Sequence, residues 1–129
     1  MRDYLKKKIG IYIAYPTTSE LKLIDAGLKT KVNNNHTKVG KTENGFAGRE
    51  KNYMKTFDNE VEFYPIVIFE KKDDLRMAED KIKSCLKGVY KRVGNAREWF
   101  DTDDRESVIK IMVVFKNLCH SFNINARAL

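Results

Sequence analysis

Residues 36–57, HTKVGKTENGFAGREKNYMKTF, decide how this chain is read. Their pattern predicts a short strand over 37–41, a glycine-marked turn over 44–48 and a helix over 47–57, beginning near Ala47. The strand carries Lys38 beside the glycine Gly40. The helix carries Arg49 and Tyr53 one turn apart, so both project from one face. Two cations and a phenol converging on a strand–helix corner can hold a phosphate. Gly40-Lys41-Thr42 invites a P-loop reading, but that motif needs a glycine where Asn35 stands.

Working outward, residues 9–15, IGIYIAY, form an apolar, aromatic and β-branched run ended by Pro16, which predicts a buried strand containing Tyr12. Residues 19–28 predict a short helix, capped by Thr18 or Ser19 and stopped by Gly27, and 33–35 predict a turn. Residues 61–70 predict a third strand, where Pro65 implies an edge or a bulge. Residues 73–90 predict an amphipathic helix with the apolar stripe Leu75, Ala78, Ile82, Cys85, Leu86 and Val89. After Gly94, residues 95–100 read as an aromatic-rich link or a short strand. Asp103 and Glu106 make a capping-box-like start to a last helix over 103–122. That helix carries Val108, Ile111, Met112, Val114, Phe115, Leu118, Cys119 and Phe122, a face broad enough to be buried or to meet another subunit, so a homodimer is open. The expected fold is α/β (α+β): a small, mainly antiparallel three-stranded sheet flanked by helices, with 1–129 as one domain and its core over 9–100.

The net charge of +7 favours a polyanionic partner. Cys85 and Cys119 lie outside any paired-cysteine motif and read as reduced core residues, which fits a cytoplasmic protein. With only two histidines besides, a structural zinc site lacks ligands. No apolar run reaches membrane-spanning length and no signal peptide is apparent, so no membrane partner is expected.

Glu79 breaks the pattern. It lies at the border of the apolar stripe, where a carboxylate needs a cation, a metal or hydrogen-bond donors. One reading is a structural salt bridge to Lys38, Lys41 or Arg49. The other is a ligand for Mg²⁺, which takes hard oxygen donors, often only one or two of them from protein.

With these residues in view, the chain resembles the GIY-YIG nuclease superfamily. Gly10-Ile11-Tyr12 is the first motif. Lys38-Val39-Gly40 looks like the second, in the form carried by a branch of phage proteins and restriction enzymes, where lysine replaces tyrosine. Arg49, Tyr53 and Glu79 fall where that family has its arginine, its next-turn aromatic and its metal-binding glutamate. Glu98-Trp99-Phe100 is a string common in the same branch. The resemblance implies a metal-dependent endonuclease that hydrolyses phosphodiester bonds of double-stranded DNA with Mg²⁺ or Mn²⁺, acting in the cytoplasm, or in a host's cytoplasm if the protein is viral. It implies a Tyr12 phenol made acidic by Lys38 and acting as base. Arg49 would offset transition-state charge, Tyr53 would bond the phosphate or the water, and Glu79 would hold the metal. Lys41, with Gly40 beside it, would contact substrate. The alternative is a catalytically inactive nucleic-acid-binding module on the same fold. A third reading is an unrelated basic domain acting through protein contacts.

Overall fold

A computed structural model describes residues 1–121 and 126–128. Its element order is β1 (Ile9–Pro16), β2 (Lys22–Asp25), β3 (Thr30–Val32), β4 (His36–Thr42), α1 (Phe46–Thr56), β5 (Val61–Phe69), α2 (Lys72–Val89), β6 (Trp99–Asp101), α3 (Arg105–Ser121) and β7 (Ala126–Ala128). The mixed α and β class is as the sequence implied. The sheet is larger: five strands in the order β6-β4-β1-β5-β7, every neighbouring pair antiparallel. The three expected strands form its middle. Of the additions, β6 answers the short strand left open over 95–100, beginning only at Trp99, and β7, also three residues, is too short for a periodicity to announce it.

Alternation along β1 sorts the core into two layers. Ile11 and Ile13 pack with Leu75, Ala78 and Ile82 of α2 and with Val108 and Met112 of α3. Tyr12 and Ala14 face the other way, onto Phe46 of α1, Phe57, Phe63 and Trp99. The sheet thus has α1 on one face and α2 with α3 on the other.

Pro65 sits at a bulge, as its position suggested. Ile11 pairs with Val67 but Tyr12 pairs with Pro65, so Ile66 is the extra residue. The bulge resets the alternation: Phe63 lies on the α1 face, whereas Ile66 and Val67 both serve the α2 face. Beside it β1 and β5 come close, and a Cβ on Gly10 would lie 2.0 Å from the Val67 carbonyl oxygen.

Several expectations are corrected. Residues 19–28 are not a helix: Lys22–Asp25 and Thr30–Val32 form a separate two-stranded hairpin. Asp25 supplies the turn chemistry, its Oδ1 accepting from the Gly27 N–H at 2.8 Å and its carbonyl from the Lys29 N–H at 2.9 Å. Val89 leaves the α2 stripe and is exposed, at the helix end where there is nothing left to pack on. Asp104, not Asp103, caps α3, its Oδ1 accepting from the Ser107 N–H at 3.2 Å. On α3, Val108, Met112 and Cys119 are buried while Val114 and Leu118 are exposed; Phe122 lies outside the described residues. Nothing in this single chain supports the homodimer.

Gly10→Ala drives a methyl group into a main-chain carbonyl, and strands β1 and β5 must separate to admit it. A loss of about 3 kcal/mol or more is expected in urea unfolding followed by circular dichroism, at the upper end of overpacking effects. Unchanged stability would mean that the two strands are not packed this tightly.

Candidate functional site

A cleft of about 540 Å³ opens between α1, the β2–β3 hairpin and the segment before β6. Lys38 of β4, Arg49 and Tyr53 of α1, and Asn95, Arg97 and Glu98 line it, with Asp25 and Leu28 of the hairpin on its outer wall.

The strand–helix corner is fixed by a turn between β4 and α1. Gly45 adopts φ 113°, and a side chain there would strike the Lys6 carbonyl. The Thr42 hydroxyl donates to the Gly45 carbonyl at 3.0 Å, holding the turn from inside. The helix then presents Arg49 and Tyr53 to the cleft. Arg49 is exposed and forms no ion pair among the described residues.

Tyr12 lies behind Tyr53 rather than in the open cleft. It is 1% exposed, and the two hydroxyls are hydrogen-bonded at 2.8 Å. Phe63 stacks on its ring at 4.8 Å. Gly40 is its partner across the ladder, and a Cβ there would lie 2.7 Å from the Tyr12 oxygen. Gly40 therefore makes room for the phenol. The Tyr12 hydroxyl is not made acidic by Lys38, as the sequence reading had it. Burial dominates and pushes it up to about 12, with Tyr53 and Arg49 pulling weakly the other way. Burial also raises Tyr53.

Glu98 joins the cleft to α2. Its Oε2 accepts from the Lys38 ammonium and its Oε1 from the Lys83 ammonium. Lys83 in turn lies 3.2 Å from Glu79 Oε1. The charges alternate, Lys38–Glu98–Lys83–Glu79, around the edge of the sheet. Burial opposes ionisation of Glu98, but the two lysines outweigh it and bring its carboxyl down to about 2. Burial lowers Lys38 and raises Glu79 against the pull of these same partners. Glu79 is only 4% exposed, and its Oε2 is buried with no hydrogen-bond partner.

The structure therefore gathers Tyr12, Lys38, Gly40, Arg49 and Tyr53 at one corner on the α1 side. Glu79 sits apart on α2 and reaches that corner only through Lys83 and Glu98. Its ion-pair partner is Lys83, one turn on, and not Lys38, Lys41 or Arg49 as expected. Lys41 pairs with Ile11 and so faces the α2 side; its ammonium lies 2.7 Å from Glu43, which Arg76 also holds at 2.6 Å. Arg97 and Lys83 escaped the sequence reading. The Glu79–Lys83 spacing was the available signal for one of them; Arg97, in an irregular segment, offered none.

Because the folded-state value of Glu98 lies below its ordinary 4.5, its stabilising share is present above that value and is lost as pH falls towards about 2. Acid unfolding should therefore steepen between about pH 4.5 and pH 2. Glu98→Gln should flatten part of that decline, with Glu43, also held at about 2 by Arg76 and Lys41, and Asp104, lowered by its hydrogen bonds to Ser107, contributing to the rest. A Glu98→Gln acid-unfolding curve parallel to that of the unaltered protein would refute the pairing.

Comparison with known proteins comes down to one match. No curated protein and no solved structure matches the chain. A family model does, that of the T5orf172 domain, over residues 10–116. That family is associated with nuclease-like and DNA-binding functions. The match overturns the assignment to the GIY-YIG nuclease superfamily made from short strings of sequence. Strings of three residues recur by chance, whereas this match runs from β1 into α3. The chain belongs to the T5orf172 domain family.

Proposed function

We propose that this protein is a metal-dependent endonuclease that hydrolyses phosphodiester bonds of double-stranded DNA in the cleft between α1 and β4. The observation that carries the proposal is the unpaired Arg49 guanidinium facing the same cleft as Lys38 and the Tyr53 hydroxyl. Family membership and the net charge of +7 point to the same polyanionic substrate.

The donor set fits a single hard cation. Among the described residues no group of three or more His, Cys, Asp or Glu side chains is placed to share a metal. Mg²⁺ needs only one or two carboxylates when phosphate and water complete its shell. Glu98, at the rim of the cleft, would hold it, with Glu79 behind it on α2 as the second carboxylate, its buried Oε2 lacking a partner. Such an ion would supply Lewis-acid stabilisation of negative charge in the reaction.

The chain's own groups do the rest. Arg49 takes two phosphate oxygens through its planar fork and offsets the charge that grows on them. Lys38, held by Glu98, adds a fixed positive charge at the same wall. Tyr53 orients the attacking water; as its oxygen takes a proton from that water, Tyr53 passes its own hydroxyl proton across the 2.8 Å contact to Tyr12 in its phenolate form. Lys41 takes no part, because its ammonium is committed to Glu43. A second reading, a module that binds DNA without cutting, draws on one fact: a phenol at about 12 is scarcely ionised at neutral pH.

Incubation with supercoiled plasmid and Mg²⁺ should give nicking that Arg49→Ala and Glu79→Ala abolish, with circular dichroism unchanged for Arg49→Ala. Binding to duplex DNA without nicking by the unaltered protein would establish the second reading instead. The absence of salt-sensitive affinity for DNA would exclude both.

If Tyr12 is the base, its ionised fraction below about 12 grows with pH. Nicking should then rise with pH from 7 to 9 by roughly tenfold per unit. Tyr12→Phe should remove both the rise and most of the rate. A flat profile in the unaltered protein would dismiss Tyr12 from that role.

A further inference from the structure

We propose that Lys83 is a resident cation in a divalent-metal site formed by Glu79 and Glu98, and that a metal ion enters by displacing its ammonium. The inference rests on the metal-dependent reading above and assigns it a second carboxylate and a competitor.

Two carboxylates from distant parts of the chain, one in the middle of α2 and one just before β6, converge on one ammonium. Lys83 lies 3.2 Å from Glu79 Oε1 and donates to Glu98 Oε1. That is the arrangement of a two-carboxylate cation site with a lysine in the cation's place. The seat is imperfectly filled, since Glu79 Oε2 is buried without a hydrogen-bond partner. An ammonium directs only three donors, whereas a metal ion can engage that second oxygen. The Lys83 side chain is 15% exposed, so its flexible stem has a route to water. Displacement leaves Glu98 Oε2 with Lys38, and Lys38 stays at the wall of the cleft.

Without metal the lysine keeps the two carboxylates apart and neutralised, so the site survives folding. With metal the lysine must leave, so affinity is set by a competition within the protein. The DNA-binding cations at the corner, Lys38 and Arg49, need not move. Lys83 thus sets the metal concentration at which the protein becomes competent.

Isothermal titration calorimetry with Mn²⁺, without DNA, tests this. Lys83→Met should bind Mn²⁺ more tightly than the unaltered protein, by on the order of tenfold in Kd, and Glu79→Gln and Glu98→Gln should each weaken it. Mn²⁺ should also raise the Tm of Lys83→Met more than that of the unaltered protein. Should Lys83→Met fail to fold, the unaltered protein still decides. Its Lys83 ammonium, followed by ¹H–¹⁵N NMR, should lose its protected signal as MgCl₂ is added. Binding that Lys83→Met leaves unchanged or weakens, or a Lys83 signal indifferent to saturating Mg²⁺, overturns the competition while leaving metal dependence intact. Mn²⁺ binding as expected with no plasmid nicking upholds the site and removes the cutting assignment. No metal binding by any variant removes both.

Discussion

One carboxylate governs the site. Glu98 accepts from two ammonium groups, Lys38 on the strand and Lys83 on the helix, and so ties β4 to α2 around the rim of the sheet. Charges in such a place are tolerated only in alternation, because each ion's lost hydration has to be offset by its neighbours. Removing one member of the row leaves the next uncompensated. The backbone fixes the arrangement: the Val39 N–H donates to the Glu98 carbonyl at 3.0 Å, immediately before β6 begins. Lys38 itself pairs with Trp99, the first residue of β6, so its ammonium meets Glu98 where the ladder ends.

The second constraint is steric. Tyr12 occupies the space that a side chain on Gly40 would fill, and the Lys38 stem crowds the same spot. A phenol buried there has little reason to ionise on its own. The hydroxyl of Tyr53 is its link to the cleft. Fold and chemistry meet in this pair: the core requires an aromatic at Tyr12, and the corner requires a hydroxyl at Tyr53. The α1 layer satisfies both because Tyr12 points from β1 towards the helix that carries Tyr53.

Much of the frame was legible in the sequence. The strands around Tyr12, Lys38 and Pro65 and the helices bearing Arg49 and Glu79 have long periodic patterns, and period decides such segments. Glu79 was visible as a misfit for the same reason: a carboxylate at the border of an apolar stripe breaks the pattern set by Leu75, Ala78, Ile82 and Leu86. The hairpin was not legible, since Lys22–Asp25 spans too few residues to show alternation and a capping pattern at Ser19 imitated a helix start. The charge row was legible only in part. Lys83 follows Glu79 at a helical spacing, but Glu98 comes from an irregular segment and no local rule brings it there. The acidity of Tyr12 was misjudged because sequence reveals which charges are near more readily than how dry the site is. Family assignment from three-residue strings failed where a match over most of the chain succeeded.

The bulge at Pro65 carries a consequence for how this chain can change over generations. Ile66 is a parity shim: it lets Phe63 and Val67 point to opposite layers although they lie four positions apart. Delete it and the ladder re-zips without a gap and each side chain keeps its layer, with Val67 opposite Ile11, Pro65 opposite Tyr12 and Phe63 opposite Ala14. The hairpin tip around Gly27, outside the main sheet, bears no such parity. Changes of length in the hairpin therefore reshape the outer wall of the cleft, while the strand paired with β1 can give up one residue, Ile66, and keep its register.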